Sequence, residues 1–296
     1  MINISKEQIH FSFNPANSPV AYAEGGDIVK FCCQDCYSEQ VLADGFDFNK
    51  INMKRNNPAT GPLYVKGAEP GDVLRVEIKA INIESEGSMC VRTGAGIYNI
   101  DGCHCRKFSI EGGKIKFDNE ISIPIRPMIG VIGTAPTGGD ISTQIPGEHG
   151  GNLDINNLGV GSLLYLPVNV PGALLSMGDI HAVQGDGETV ICALEMSGEI
   201  TVKVDVLKNR QDIPTPFILT DSHYITTSAD PSLDNCSVVA AKKMHRFLQQ
   251  HSDLTDAQCG MLLSLVGNLR ISQVVNPSKG CIMEFPIGLV KEKFEK

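Results

Sequence analysis

The chain has 296 residues, a formal net charge of −9 at pH 7 and a sequence pI near 5.3. This length is enough to bury a full core, and we expect two subdomains. Its excess of acidic over basic residues and the lack of a basic stripe argue against nucleic acid as the main partner, because phosphate binding depends on clustered Lys and Arg. No apolar run reaches the roughly twenty residues of a membrane span, so no membrane partner is expected.

The amino-terminal sequence lacks the charged and apolar regions of a signal peptide, which predicts a cytoplasmic protein. The ten cysteines are then expected to be thiols, since disulfides are rare in reducing compartments. Cys33-x-x-Cys36 and Cys103-His104-Cys105 together resemble a structural zinc pattern. The C-x-C spacing of Cys103 and Cys105 favours thiols in the core or on the surface instead.

Residues 1–210 are dominated by short, strand-like runs between Gly, Pro, Asn and Asp, which predicts a mostly β fold with a β-sandwich or barrel core. A hairpin is expected at Glu111-Gly112-Gly113. In chain order, the predicted strands cover residues 26–31, 71–83, 107–110, 114–117, 128–133, 162–168, 189–196 and 199–206.

The pattern changes after Pro216, and residues 211–296 are predicted to form a smaller α+β segment. Apolar residues at helical spacing indicate a helix over 232–251, opened by Asp230-Pro231-Ser232. A second helix is expected over 255–265 with Thr255 as its N-cap. The strands of this segment are predicted at 217–220, 271–275 and 280–284.

Two separate clusters of His, Asp and Glu lie in the glycine-rich stretch 138–199, where we expect the chemistry. In the first cluster, His149 and Asp154 are five residues apart on a chain too rich in glycine for a helix, so a loop is predicted. The alternative for His149 is a structural hydrogen bond within that loop. Glu148 precedes it directly, and adjacent residues on an extended chain point to opposite sides.

The second cluster centres on His181, which lies between a Gly-Asp turn and a further glycine-rich turn. Predicted strands flank it on both sides. In the strand that follows, Glu195 lies in an otherwise apolar run, where a carboxylate is costly unless it is paired or binds a metal. Asp186 is expected to shape its Gly-Asp-Gly turn.

Several longer segments, some of which contain these clusters, occur in an order and at a spacing that an unrelated chain would rarely show. They are GDIVKFCCQDCYSEQ, NPATGPLYVKGAEPGDVLRVEI, PMIGVIGTAP, HGGNLD, LYLPVNVPGALLSMGDIHAVQGDGE and ISQVVNP. On these segments the chain resembles the acetamidase/formamidase family, and more closely its shorter, bacterial-type members. The resemblance implies hydrolysis of short aliphatic amides to a carboxylate and ammonia. Because it includes HGGNLD but not the preceding residue, it favours His149 over Glu148.

Amide hydrolysis needs an activated water, a stabilised oxyanion and a proton for the leaving nitrogen, and a divalent cation supplies the first two. His181, Asp154 and Glu195 offer one nitrogen and two oxygen ligands, which suits zinc with an open position for water. Calcium, manganese and iron are alternatives. His149 is expected to be a further ligand or the general base. Asp35 is a further acid or base candidate, or else a turn carboxylate that caps a neighbouring amide.

The alternative mechanism is nucleophilic, with Cys36 as the best thiol and Cys192 the second. A carboxylate neighbour raises the pKa of a thiol, which disfavours this route. A non-catalytic small-molecule binder on the same scaffold is the alternative from another class of protein. We expect a homodimer or small homo-oligomer, because most soluble enzymes of this size are symmetric oligomers.

Overall fold

A computed structural model describes residues 1–43, 51–290 and 294. Strands account for 43% of the structure and helices for 12%, so the mostly β prediction is confirmed. The strands are β1 (Ile2–Ile4), β2 (Ile9–His10), β3 (Ser12–Phe13), β4 (Ala21–Ala23), β5 (Ile28–Cys33), β6 (Ala59–Val65), β7 (Val73–Arg92), β8 (Cys103–Glu111), β9 (Lys114–Lys116), β10 (Ser122–Pro124), β11 (Met128–Gly133), β12 (Ile141–Ser142), β13 (Gly150–Asn152), β14 (Leu163–Pro167), β15 (Leu175–His181), β16 (Glu195–Leu207), β17 (Phe217–Leu219), β18 (His223–Asp230), β19 (Asn268–Gln273) and β20 (Lys279–Pro286). The helices are α1 (Leu233–His251) and α2 (Asp256–Val266).

Strand β16 is the centre of the main sheet. It pairs antiparallel with β7 over most of its length and with β5 from Gly198 to Lys203. Its alternate residues Ile200, Val202 and Val204 are fully buried, as expected for a strand with one face in the core. At its start, β16 pairs with β15 in place of β5, and the sheet continues from β15 through β11 to β13. The sheet therefore branches at the point where β16 begins.

The described strands form an open sheet and not a closed barrel. Within the described residues, β1 pairs with no strand other than β5 and β19 with no strand other than β20, so both strands lie at edges. The barrel alternative is therefore wrong. The predicted hairpin is confirmed, since Glu111 of β8 pairs with Lys114 of β9 across two glycines with positive φ.

The carboxy-terminal segment joins the main sheet through the pairing of β14 with β17. Helix α1 packs on β18 and β20 and buries Met244, Phe247 and Leu248. Both predicted helix starts are confirmed: Ser232 accepts a hydrogen bond from the backbone at the start of α1, and Thr255 forms a capping box before α2. The predicted boundary at residue 210 lies between β16 and β17 and stays a prediction.

Two predictions around the second cluster are wrong. Gly178 and Asp179 lie inside β15 and not in a turn; every residue of β15 is buried, so it lacks the alternation typical of a half-exposed strand. The strand predicted over 189–196 begins only at Glu195. The residues before it form turns, in which Ile191 has a φ of +91°.

The structure also changes the prediction for the cysteines, because Cys90 and Cys105 form a disulfide between the paired strands β7 and β8. The other eight are free thiols. Among the described residues, Cys33 and Cys103 do not join a group able to hold a metal. Neither described helix is long and apolar enough to cross a membrane.

Candidate functional site

The strands β15 and β16 bring an imidazole and two carboxylates together. Asp179 and His181 lie two residues apart on β15, and His181 is directly opposite Glu195, the first residue of β16. Nε2 of His181 lies 3.3 Å from Oδ1 of Asp179 and 3.3 Å from Oε2 of Glu195. All three side chains are buried.

Two loop carboxylates complete the cluster. Asp154 follows β13, and Glu188 lies in the loop after β15. One ligand atom each of Asp154, His181 and Glu188 lies within 4.8 Å of the others, and the same holds for Cys36, Asp179 and Glu195. We call Asp154, Asp179, His181, Glu188 and Glu195 the acidic cluster.

Gln184 determines which nitrogen of His181 carries the proton. The amide nitrogen of Gln184 donates to the Asp154 carbonyl at 2.8 Å, so its Oε1 faces His181. This oxygen lies 2.7 Å from Nδ1 of His181 and can only accept a hydrogen bond. Nδ1 is therefore protonated, and Nε2 is directed at the carboxylates of Asp179 and Glu195.

Other polar groups fix the carboxylates. Nδ2 of Asn276 donates to Oδ2 of Asp154 at 2.9 Å, and the backbone N–H of Ala193 donates to Oε1 of Glu195 at 2.9 Å. The amide nitrogen of Asn57, in the orientation that satisfies its surroundings, donates to Asp179 at 3.1 Å. Asn276 comes from the carboxy-terminal segment, so the site is not confined to residues 1–210.

The backbone of the acidic cluster is strained. Asp154, Asp179 and Glu188 have φ values of +47°, +54° and +46°, a backbone region that residues other than glycine rarely adopt. Such conformations cost free energy and concentrate at active sites. A Cβ on Gly130 would lie 2.7 Å from Oδ1 of Asp154 and 2.7 Å from Oδ2 of Asp179. Only glycine therefore leaves room for both carboxylates.

The four carboxylates of the acidic cluster outnumber the one positive charge that His181 can supply. Of the described residues, no Lys or Arg pairs with any of these carboxylates, which are 1–8% exposed. Burial, with the neighbouring carboxylates, raises the pKa of Asp154 and of Asp179 to about 6 each. Burial lowers the pKa of His181, but the charges of Glu195 and Asp179 outweigh it and raise that pKa well above its usual value.

These observations show that the residues present fit a bound cation. Asp154 Oδ1, His181 Nε2 and Glu195 Oε2 are buried and have no hydrogen-bond partner. Buried charged oxygens are costly unless they are paired or coordinate a metal. A divalent cation would satisfy Asp154 Oδ1 and His181 Nε2 and offset two of the four negative charges, which leaves Glu195 Oε2 beside it.

The acidic cluster borders a small cavity of about 90 Å³. Asp179, Glu188 and Glu195 line it on one side, and Asn152 lies on its wall, where its Oδ1 has no hydrogen-bond partner. The cavity therefore presents carboxylates, an amide and the cation-binding atoms to a small polar molecule.

The structure brings together three of the predicted site residues: Asp154, His181 and Glu195. His149 is in a different place, since it lines another cavity beside Glu148 and packs 5.0 Å from the ring of Phe13. Burial lowers the pKa of His149 to about 4. Its role as ligand or base stays a prediction.

Asp35 is buried and caps the turn that carries Cys36 and Tyr37 to the cavity. Its Oδ1 accepts hydrogen bonds from the N–H groups of Tyr37 and Glu39 at 3.0 and 2.7 Å. Burial raises the pKa of Asp35 to about 6. This is the capping arrangement that was the alternative to a catalytic role, and Asp35 itself does not line the cavity.

Sequence reasoning missed Asp179, Glu188, Gln184 and Asn276. The signal for Asp179 was its position two residues before His181, which places both on one face of a strand. Glu188 follows the Gly-Asp-Gly turn. Asn276 lies in ISQVVNP, one of the segments that carry the resemblance to the family.

The framework of this protein is thus a branched, mostly antiparallel sheet with a cluster of residues that could hold a cation beside a small cavity. The model of the acetamidase/formamidase family matches residues 2–139 and 138–287, so the chain belongs to this family and the predicted resemblance is confirmed.

An acetamidase of Mycolicibacterium smegmatis is 53% identical, over 67% of this chain and 66% of that protein. A formamidase of Methylophilus methylotrophus is 28% identical, over 68% of this chain and 65% of that protein. The chain spans 64–66% of the length of the curated relatives it matches. The crystal structure of an acetamidase from Bacillus halodurans superposes with a TM-score of 0.94 and 41% identity, covering 97% of each chain.

Proposed function

We propose that this chain hydrolyses short aliphatic amides of the formamide and acetamide type to a carboxylate and ammonia, by means of a metal-activated water. Relatives named acetamidase and formamidase support the reaction. The observation that carries the mechanism is the position of His181, whose Nε2 lies 3.3 Å from an oxygen of Asp179 and 3.3 Å from one of Glu195.

The ligand set favours zinc. Two ligands of one zinc ion lie about 3.4 Å apart, and Nε2 of His181 and Oδ1 of Asp179 are 3.3 Å apart. Calcium prefers oxygen ligands, whereas the acidic cluster includes an imidazole nitrogen. Manganese and iron accept this mixture as well, so elemental analysis is needed to distinguish them.

The size of the cavity supports a short substrate. Its volume of about 90 Å³ corresponds to about three water molecules at roughly 30 Å³ each. Formamide has three non-hydrogen atoms and acetamide has four. The unpartnered Oδ1 of Asn152 is an acceptor for the N–H₂ group of such an amide.

When bound, the metal lowers the pKa of its water toward about 7 and polarises the carbonyl of the substrate. We assign Glu195 the transfer of the proton from the attacking water to the leaving nitrogen, because one of its oxygens is fixed by Ala193 and the other has no partner. Gln184 holds His181 in the tautomer that ligation needs. Asp35 holds the turn that carries Cys36 and Tyr37 to the cavity, and its role as an acid or base stays a prediction.

The cysteine mechanism has less support. Cys36 lines the cavity, but burial and the charge of Glu195 raise the pKa of its thiol well above the usual value. Burial and Glu195 likewise raise the pKa of Cys192 to about 12. The same carboxylates that favour a cation therefore disfavour a thiolate.

Ammonia release from formamide, acetamide and propionamide tests the proposal, before and after chelation and with zinc added back. Chelation is expected to abolish release and zinc to restore it. Glu195→Gln should lose about 10²–10⁴-fold in kcat, while Glu148→Gln, at an exposed carboxylate paired with Lys243, should not. Chelator-resistant activity that a thiol reagent abolishes would instead favour Cys36, and no release from any amide would favour a non-catalytic binder.

Cytoplasmic localisation and assembly as a homodimer or small homo-oligomer are part of the proposal. They rest on the sequence and on the frequency of symmetric oligomers among enzymes of this size. Light scattering of the purified protein tests the assembly, and a monomer would contradict it.

A further inference from the structure

Two cavities lie on opposite sides of one short stretch of chain. Residues 188–192, which we call the dividing segment, border the small cavity beside the acidic cluster and a second cavity of about 360 Å³. Glu188 and Cys192 line both cavities. Ile191 lines only the small one, and Val190 lines only the larger one. The wall between the cavities is therefore one residue thick.

The two cavities differ in chemistry. The small cavity holds the carboxylates of the acidic cluster, whereas the walls of the larger one are mostly apolar and include Phe108, Ile115, Phe117 and Leu194. An alkyl chain gains free energy in such surroundings, and a polar amide group does not. The larger cavity thus suits the alkyl chain of an amide that is too long for the small cavity.

Several contacts hold the dividing segment in place. The N–H of Ile191 donates to the Glu188 carbonyl at 3.0 Å, and the Thr189 carbonyl accepts from the N–H of Ile97 at 2.9 Å. The thiol of Cys192 donates to the Cys90 carbonyl at 3.0 Å. The segment is therefore a braced wall, with the side chain of Cys192 between the two cavities.

We propose that the dividing segment limits the acyl chain that this protein accepts, and that Cys192 closes the passage to the apolar cavity. This inference rests on the proposed amide hydrolysis. An amide with a one-carbon or two-carbon acyl group fits beside the acidic cluster, while the chain of a longer one meets Cys192 and Ile191. Removing the Cys192 side chain joins the cavities and admits a longer chain.

The test compares the kcat/KM for pentanamide with that for acetamide in the wild type and in Cys192→Gly. Pentanamide has three more methylene groups, and each one buried is worth about fourfold in binding. The ratio is therefore expected to rise at least tenfold in the variant. Val190→Ala is the matched control, because it enlarges the apolar cavity without opening the wall, and its ratio should equal that of the wild type.

Ile191→Gly is a second variant in case Cys192→Gly fails to fold. Glycine adopts the φ of +91° at this position without strain, so the change keeps the backbone conformation. It should raise the ratio of the kcat/KM for butyramide to the kcat/KM for acetamide. If the wild type is active and both ratios are unchanged in folded Cys192→Gly and Ile191→Gly, the inference is wrong and the proposed function stands. A wild type that releases no ammonia from acetamide overturns the proposed function, and the inference with it.

Discussion

Oε1 of Gln184 lies 2.7 Å from Nδ1 of His181 and fixes the imidazole in the tautomer that directs Nε2 at two buried carboxylates. Gln184 is itself oriented by its hydrogen bond to the Asp154 carbonyl. A single amide thus links the backbone of one candidate ligand to the side chain of another. Such partners of a metal-binding histidine set both its orientation and its basicity.

Replacement of Gln184 should therefore weaken metal binding without changing a ligand. In Gln184→Leu, Nδ1 of His181 loses its acceptor, and we expect metal affinity to fall about 10–100-fold. Competition with a chromophoric chelator measures this. Gln249→Leu, which removes an exposed glutamine from α1, should keep the wild-type affinity. Equal affinities for the wild type and Gln184→Leu would show that Gln184 does not support a ligand.

The two histidines of the sequence clusters should behave differently. His181 lies within 4.8 Å of both Asp154 and Glu188, measured between potential ligand atoms, whereas His149 lines a separate cavity beside Phe13. We expect His181→Gln to lose the bound metal and His149→Gln to retain it. Elemental analysis of the purified variants measures this. Loss of metal from His149→Gln alone would return His149 to the ligand set.

The stability of the metal-free protein should depend on pH with a defined sign. Burial and neighbouring charge raise the pKa of Asp154 and of Asp179 from 3.8 to about 6. A carboxyl with a raised folded-state pKa stabilises the fold while protonated, so its contribution is complete below pH 3.8 and is lost as the pH rises through about 6. The two carboxyls interact, because the charge of Asp179 raises the pKa of Asp154, so the decline belongs to the pair and the two losses do not add.

Urea unfolding between pH 4.5 and 7.5, with chelator or with metal, measures this dependence. Metal should abolish the decline, and Asp154→Asn should reduce it in the metal-free protein. The exposed Asp101→Asn is the control and should leave the profile unchanged. A metal-free protein whose stability is constant over this range would contradict the electrostatic account of the acidic cluster.

The disulfide should contribute to stability. Cys90 and Cys105 are separated by 15 residues, and closing a loop of this length stabilises a fold by about 3 kcal/mol. Cys105→Ser should lower the free energy of unfolding by about that amount, while Cys103→Ser, at an exposed free thiol two residues away, should not. Peptide mapping without reductant checks the pairing itself, and recovery of Cys90 and Cys105 only as thiols would contradict it.

Much of the fold was predictable because local signals agreed with the tertiary structure. Helices α1 and α2 were marked by apolar periodicity and by the caps Ser232 and Thr255, and the structure retains both caps. Strand β15 gave no such signal, because it is buried on both faces and contains a Gly-Asp pair that is typical of turns. The sequence therefore did not indicate the strand that carries Asp179 and His181.

The candidate site was predictable in part for a similar reason. Glu195 stood out as a charge within an apolar run, and Asp154 and His181 stood out within glycine-rich segments. Glu188 did not, since acidic residues are ordinary in exposed turns. Its burial depends on the loop after β15, where Gly187 donates to the Ser272 carbonyl of β19. Contacts between residues so distant in sequence leave no local pattern.

The most direct test of metal-dependent amide hydrolysis is a titration of metal-free protein with zinc, in which acetamide hydrolysis and bound zinc are measured in the same samples. We predict that ammonia release rises in proportion to zinc bound at the acidic cluster and stops rising when that site is full, and that Glu195→Gln binds metal with little activity. Full activity in samples that contain no metal would contradict the account.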